Sequence, residues 1–386
     1  MHPTTHAALR LTLALSACLP LFYGFSSAAA ESPGASASAT TPTPGRPIAI
    51  NVEVTDKQGD HVRGLKPSDF SILDNNQPVR LAAFQPVTDA GSAGQISVVL
   101  VVDMINSDWD TVSREREQVM EFLTQNGGHL QHPTTVAMLT DDGLKVERLT
   151  SLNGNTLQAD LNSTNSVFRL IGRSTGYYGN VTRMVMSLGQ ISQLAAYEAP
   201  KPGRKLFFVI SPGWPLLDWV GMQEDMNERR WTFESIEQLS NGLRDADITL
   251  YALQPYELGR SDDLSRSNPF YYRVYLKPAL NAGQAIYPDL SLQVLSEQSG
   301  GRVLVTGHSI TEEINDVERD ANSYYILSYP RPAASHPDDY HAIQVKLDRP
   351  DLEVHTTAGY YLHTSPATAP KPKDTGKPGS KNGKTH

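Results

Sequence analysis

The sequence is short of the features that usually commit a chain to chemistry. Its 386 residues contain one cysteine, Cys18, so no disulfide forms within the chain and stability has to come from packing. No HExxH or Walker A pattern occurs, and no GxGxxG follows the first strand of the central block. The local signatures of zinc peptidases, P-loop enzymes and dinucleotide binders are therefore missing. His61, His129, His132 and His308 lack metal-ligand spacing and read as surface or loop residues. Glu312 and Glu313 are adjacent in a helical stretch and do not face one another. Positive charge is scarce as well: 33 Lys and Arg against 42 Asp and Glu leave a net charge of −9, which repels phosphate backbones and excludes nucleic acid as a first choice of partner.

Long apolar runs are also missing. The apolar stretch Leu11 to Phe25, behind Arg10 and ahead of the small residues Ser26 to Ala30, is shorter than the roughly 20 residues that span a bilayer. It reads as a signal peptide over 1–30, which implies export to the periplasm or the extracellular space. Two processing routes stay open: cleavage after Ala28-Ala29-Ala30, or acylation at Cys18 in Leu15-Ser16-Ala17-Cys18, which would hold a lipoprotein at a membrane. Residues 31–46 and 364–386 are rich in Ser, Thr, Pro, Lys and Gly and read as a disordered linker and a solvated tail.

What remains is patterned. Ile48, Ile50, Val52 and Val54 alternate with polar or small residues, and strands are expected again at Phe70 to Leu73 and Val79 to Phe84 around the turn Asp74-Asn75-Asn76. The same alternation resumes with Ile343, Val345 and Leu347, then Leu352, Val354 and Tyr360 to Leu362. Neither set closes a core alone. The spacing predicts one small β-sandwich split into 47–92 and 338–363, with residues 93–337 inserted. In that insertion the apolar runs Ile96 to Val102, Thr135 to Leu139, Leu206 to Ile210, Ile248 to Leu253 and Val303 to Val305 read as buried parallel strands. Helical stripes separate them: Val112, Val119, Phe122 and Leu123 after an N-cap at Asp110; Met184, Leu188, Ile191 and Leu194; Ile236, Leu239 and Leu243 within 227–243; and Ile314 and Val317 after a capping box of Ser309 and Glu312. The expected class is α/β, a parallel sheet with helices on both faces.

Four segments in order, VEVTDKQGDHVRGLKPSDFSILDNNQ (52–77), ISVVLVVDMINS (96–107), KLFFVISPGW (205–214) and YYILSYPRP with VKLDRPDLEVHTTAGYY (324–361), resemble the VWFA-related domain family of exported bacterial proteins. The resemblance implies a von Willebrand factor A-like (Rossmann-like) sheet and, at its carboxyl edge, a metal-ion-dependent adhesion site built from D-x-S-x-S, a loop threonine and a loop aspartate. Carried over, Asp103 and Ser107 match, Ile105 stands in place of the middle serine, Thr182 or Thr175 supplies the threonine, and Ser211-Pro212 replaces the aspartate. With that many oxygens lost, the site is degenerate. It either holds Mg²⁺ weakly among several waters, or Asp103 caps a helix or bonds a loop. No other cofactor is implied.

Loops at the carboxyl ends of the strands also collect Tyr177, Tyr178, Trp214, Trp219, Tyr256, Phe270, Tyr271 and Tyr272. Two readings stand side by side. The rings form a ligand surface anchored by Trp214 and Trp219, or the insertion from Glu257 to Pro288 folds over and buries them. The expected function is binding or adhesion to a protein or glycan without catalysis, the alternatives being an envelope enzyme with an unrecognised site or a structural envelope component.

Overall fold

Alternate residues of one strand serve two opposite cores, and the architecture follows from that. In the computed structural model, which describes residues 47–88, 96–107, 109–146, 150–163, 176–214, 224–255, 270–306, 309–332 and 339–362, the strand β5 (Ile96–Asp103) sends Val99 and Val101 to one face of a sheet and Val98, Leu100 and Val102 to the other. The first face is covered by α3 (Tyr177–Glu198), α4 (Met226–Asp245) and the short α5 (Leu292–Gln298), the second by α1 (Trp109–Thr124), α2 (Gly154–Ser163) and α6 (Ile310–Ala321). Such two-sided burial explains the unbroken apolar runs. The described residues fall within one unit, Pro44–His386.

The large sheet runs β11-β10-β9-β5-β6-β7, with β8 (Ser151–Asn153) also on β6. Strands β11 (Val303–Thr306), β10 (Ile248–Pro255), β9 (Arg204–Ile210), β5 and β6 (His129–Thr140) are parallel. The strand order reverses between β5 and β9, so the first strand of this sheet in chain order lies inside it, at the switch point where open α/β sheets place their ligand crevice. A purely parallel sheet was expected; β7 (Gly143–Val146) and β8 instead add antiparallel pairs. Both are short, polar-flanked edge strands without a strong apolar pattern.

The sandwich consists of two four-stranded sheets, β14-β1-β12-β4 and β15-β13-β2-β3. Strand β1 (Ile48–Thr55) pairs with β14 (Glu353–Thr356) and with β12 (Ser323–Tyr329), which also pairs with β4 (Ala83–Thr88). The other sheet joins β2 (Phe70–Asp74) to β3 (Gln77–Val79) and to β13 (Asp339–Leu347), with β15 (Gly359–Leu362) beyond. Residues 323–329, counted above with the central block, thus lie in the sandwich, because Tyr325, Leu327 and Tyr329 enter its core. The turn at Asn75 and Asn76 carries positive φ at both residues, as the short β2–β3 hairpin requires.

Helix starts differ in detail. The α1 helix begins at Trp109, so Asp110 is inside it rather than its cap. Helix α4 has a full capping box, Asp225 with Glu228, whereas at α6 the Ser309 side chain accepts from Thr311 N–H, with no reciprocal bond from Glu312 recorded. The expected signal peptide over 1–30 with Cys18, residues 31–46 and 364–386, Thr175, Trp219, Tyr256 and His308 lie outside the described residues. No described helix is long and apolar enough to cross a membrane.

Helix α6 buries Glu318, whose Oε1 has no hydrogen-bond partner. Burial pushes this carboxyl up from 4.5 to about 7. Between those values the folded chain holds a proton that the unfolded chain has released, so stability falls as pH rises through that window. Glu318→Gln should therefore melt like the parent at pH 4.5 and be more stable by about 3 kcal/mol at pH 8. Equal denaturation midpoints at pH 8 would contradict this.

Candidate functional site

At the carboxyl end of β5 the chain buries a carboxylate completely. Asp103 is 0 % exposed, and both of its oxygens are occupied. Oδ1 accepts the backbone N–H groups of Ile105 (2.9 Å) and Asn106 (3.1 Å). Oδ2 accepts Asn106 Nδ2 (2.8 Å), Ser211 Oγ (2.8 Å) and Trp214 Nε1 (3.0 Å). Four of these five partners are N–H groups, which only donate, and an ionised carboxylate is the form that accepts them all. Burial pushes the Asp103 carboxyl up from its ordinary value; hydrogen bonds from Asn106, Ser211 and Ile105 pull it part of the way back.

Three elements deliver those donors. The turn after β5 folds the Ile105 and Asn106 N–H groups back on the carboxylate, and Asn106 reaches across to Ser187 Oγ of α3 at 2.9 Å. The end of β9 supplies Ser211, held by its backbone bond to Leu253 O. Then Gly213, at φ +94, turns the chain so that Trp214 points inward; a Cβ there would come within 2.3 Å of Gln254 and 2.4 Å of Gln293. Beside them, Gln190 of α3 clamps the end of β6, accepting from Thr140 N–H (3.0 Å) and donating to Thr140 O (2.7 Å).

The adhesion-site assignment is revised accordingly. Asp103 and Ser211 do meet. Ser107 is buried with its Oγ 3.4 Å from both carboxylate oxygens of Glu115. Thr182 is not brought to the site: it lies within α3, exposed, and donates to Tyr178 O. Ile105 packs in the core with Trp214. Magnesium needs near-octahedral oxygen ligation, whereas the groups around Asp103 are N–H donors plus one hydroxyl, which present positive hydrogen to any cation. This donor set does not fit Mg²⁺. Among the described residues, no group of three or more His, Cys, Asp or Glu is placed to hold a metal.

The proposed aromatic surface is also corrected. Trp214, expected to be an exposed anchor, is 1 % exposed and belongs to the same buried cluster as Ala279, Ala285 and Leu290. Tyr272 is buried against Val294 and bonds Glu297 at 2.8 Å. An indole beside a buried carboxylate gains both a partner and a dry environment. Tyr271 is half-buried, edge-on to Tyr275. Of the expected rings, Tyr178 at 76 % and Phe270 at 47 % reach solvent; Tyr178 continues as a row through half-buried Tyr177 and buried Tyr287 to Trp231, 36 % exposed, by ring contacts of 5.5, 6.4 and 6.2 Å. Glu224 and Glu228 lie beside it, raising the phenol pKa of Tyr177 and Tyr287 after burial, the larger cause. Trp231 and Tyr287 went unnoticed in the sequence, one as a helix residue and one as a loop residue.

No protein-family model and no characterised protein matches the chain in sequence. Among solved structures it is similar to the human COPII-coat protein Sec24c, with TM-score 0.30 and 8% identity over 69% of this chain and 44% of that one. It is also similar to the TFIIH p34 N-terminal domain, with TM-score 0.22 and 11% identity over 41% of this chain and 80% of that one. The chain thus spans under half the length of Sec24c. Similarities at this level assign no family and no activity.

Trp214→Phe removes one donor from Asp103 and leaves a gap in the buried cluster. The expected loss is about 2 kcal/mol or more in denaturant unfolding. A double-mutant cycle with Asp103→Asn should give a coupling of about 1 kcal/mol; additive effects would show that the indole N–H contributes nothing through the carboxylate.

Proposed function

We propose that the chain is an exported, non-catalytic binding protein whose central block is a von Willebrand factor A-like domain with its adhesion site closed. The observation that carries this reading is the saturation of Asp103 by five donors, the Trp214 indole N–H among them. Partner binding then needs no metal. It falls to the row Tyr178–Tyr177–Tyr287–Trp231, exposed at its Tyr178 and Trp231 ends, whose rings offer contact area with little side-chain entropy to lose. A protein and a glycan are both compatible with such a surface.

The reading is tested with peptide and glycan arrays probed in Mg²⁺ and in chelator. Binding should be the same in both, the melting temperature should not respond to Mg²⁺, and Tyr178→Ala or Trp231→Ala should weaken binding tenfold or more while the fold is retained. Binding that requires Mg²⁺, disappears in Asp103→Ala and survives Tyr178→Ala would overturn it.

A further inference from the structure

The opposite end of the large sheet is open. Where β1 of the sandwich meets the amino ends of β9 and β10, a cleft of about 320 Å³ is walled by Arg204, Arg244, Glu53, Asp245 and Asp247. Its size is at the lower end for small-molecule sites.

Two guanidinium groups in this wall are incompletely used. Arg204, 2 % exposed, donates from Nη2 to Glu53 (2.7 Å) and Thr249 (3.2 Å), yet Nη1 has no partner. Arg244 donates from Nε and Nη2 to Asp245, and its Nη1 is likewise buried without a partner. Each guanidinium lies over a tyrosine ring, Arg204 over Tyr324 and Arg244 over Tyr360, at 4.9 and 5.3 Å. A ring satisfies the face of a guanidinium and leaves its in-plane N–H groups wanting an acceptor. Buried charged donors without one are costly, and a carboxylate supplies it best.

The acidic side of the cleft is also unusual. Asp247 follows the C-cap of α4 with φ +54, a left-handed position where glycine or asparagine is the usual occupant. Its carboxylate lines the cleft, Oδ1 accepting from Asn51 Nδ2 at 2.7 Å. Asp247 also raises the Arg204 pKa, after the larger opposing effect of burial and the larger supporting one of Glu53. With acids and guanidinium groups sharing one wall, a dianion such as phosphate is disfavoured, and a ligand bearing both signs is matched.

We infer that this cleft binds a free α-amino acid, its carboxylate directed to the Arg204 and Arg244 guanidinium edges and its ammonium to Asp247. The inference is independent of the closed adhesion site, which lies at the other end of the strands.

The test is calorimetry of the full chain with each of the twenty common L-amino acids, with acetate, methylammonium and inorganic phosphate as controls. At least one amino acid should bind saturably and the controls at least tenfold more weakly. Asp247→Asn preserves the bond from Asn51 and suits the left-handed backbone, and should cost at least tenfold in affinity with an unchanged melting temperature. Arg244→Gln should do the same by removing the carboxylate partner. No saturable binding, acetate or phosphate binding as tightly as any amino acid, or affinities within twofold of the parent in both variants would each overturn the assignment.

Discussion

The carboxyl edge of the large sheet is organised by one buried negative charge. A carboxylate taken out of water costs several kcal/mol unless its lone pairs are met by fixed donors. Asp103 ends the central strand, and meeting its oxygens requires the β5 turn, the end of β9 and an indole from beyond Gly213 to converge. Two of the donor residues are themselves anchored, Asn106 to Ser187 and Ser211 to Leu253. The indole joins the same buried cluster as Ala279, Ala285 and Leu290. Taking the aspartate away would leave four N–H donors facing nothing, so the edge acts as one cooperative unit.

The sandwich uses the same device in two other places. Arg204 of β9 reaches Glu53 of β1, both largely buried, and joins the sandwich to the large sheet. Within the sandwich, Asp74 of β2 accepts the hydroxyls of Tyr360 (2.6 Å) and Tyr329 (3.3 Å) and contacts His341 Nδ1. Tyr329 belongs to one sheet and Asp74, His341 and Tyr360 to the other, so this cluster ties the two layers across the core. With a single cysteine in the chain, polar clasps of this kind supply the directional constraint that disulfides give many exported proteins.

Legibility in the sequence followed burial. Strands buried on both faces, such as Ile96–Asp103 and Arg204–Ile210, are apolar throughout, and β1, buried on one face, shows clean alternation. The edge strands β7 and β8 were not legible, because three or four residues exposed on one side carry no period. At the site, Asp103 and Ser211 were legible through the resemblance to the adhesion-site motif. The fate of Trp214 was not: an aromatic in a loop reads as a surface anchor unless the backbone turn that redirects it is known, and the positive φ of Gly213, where a Cβ would meet Gln254 and Gln293, is not written in the sequence. Thr182 misled for the opposite reason, since a threonine at a helix start and one inside the first turns look alike in sequence, and here its hydroxyl bonds back to Tyr178 O.

A carboxylate that takes part in metal-mediated adhesion must keep lone pairs for the cation and leave the cation an open position for the partner. Asp103 keeps neither, since its oxygens are spent on internal donors beneath a covered indole. Under the proposed reading, recognition at this edge falls to groups outside that buried cluster, and the aromatic side chains there are held in place by one another: Tyr287 stacks edge-on with Trp231 and bonds Glu228, while Tyr177 spans to Tyr178. A row preassembled in this way loses little conformational freedom when covered, so contact area alone would supply the affinity that the reading requires.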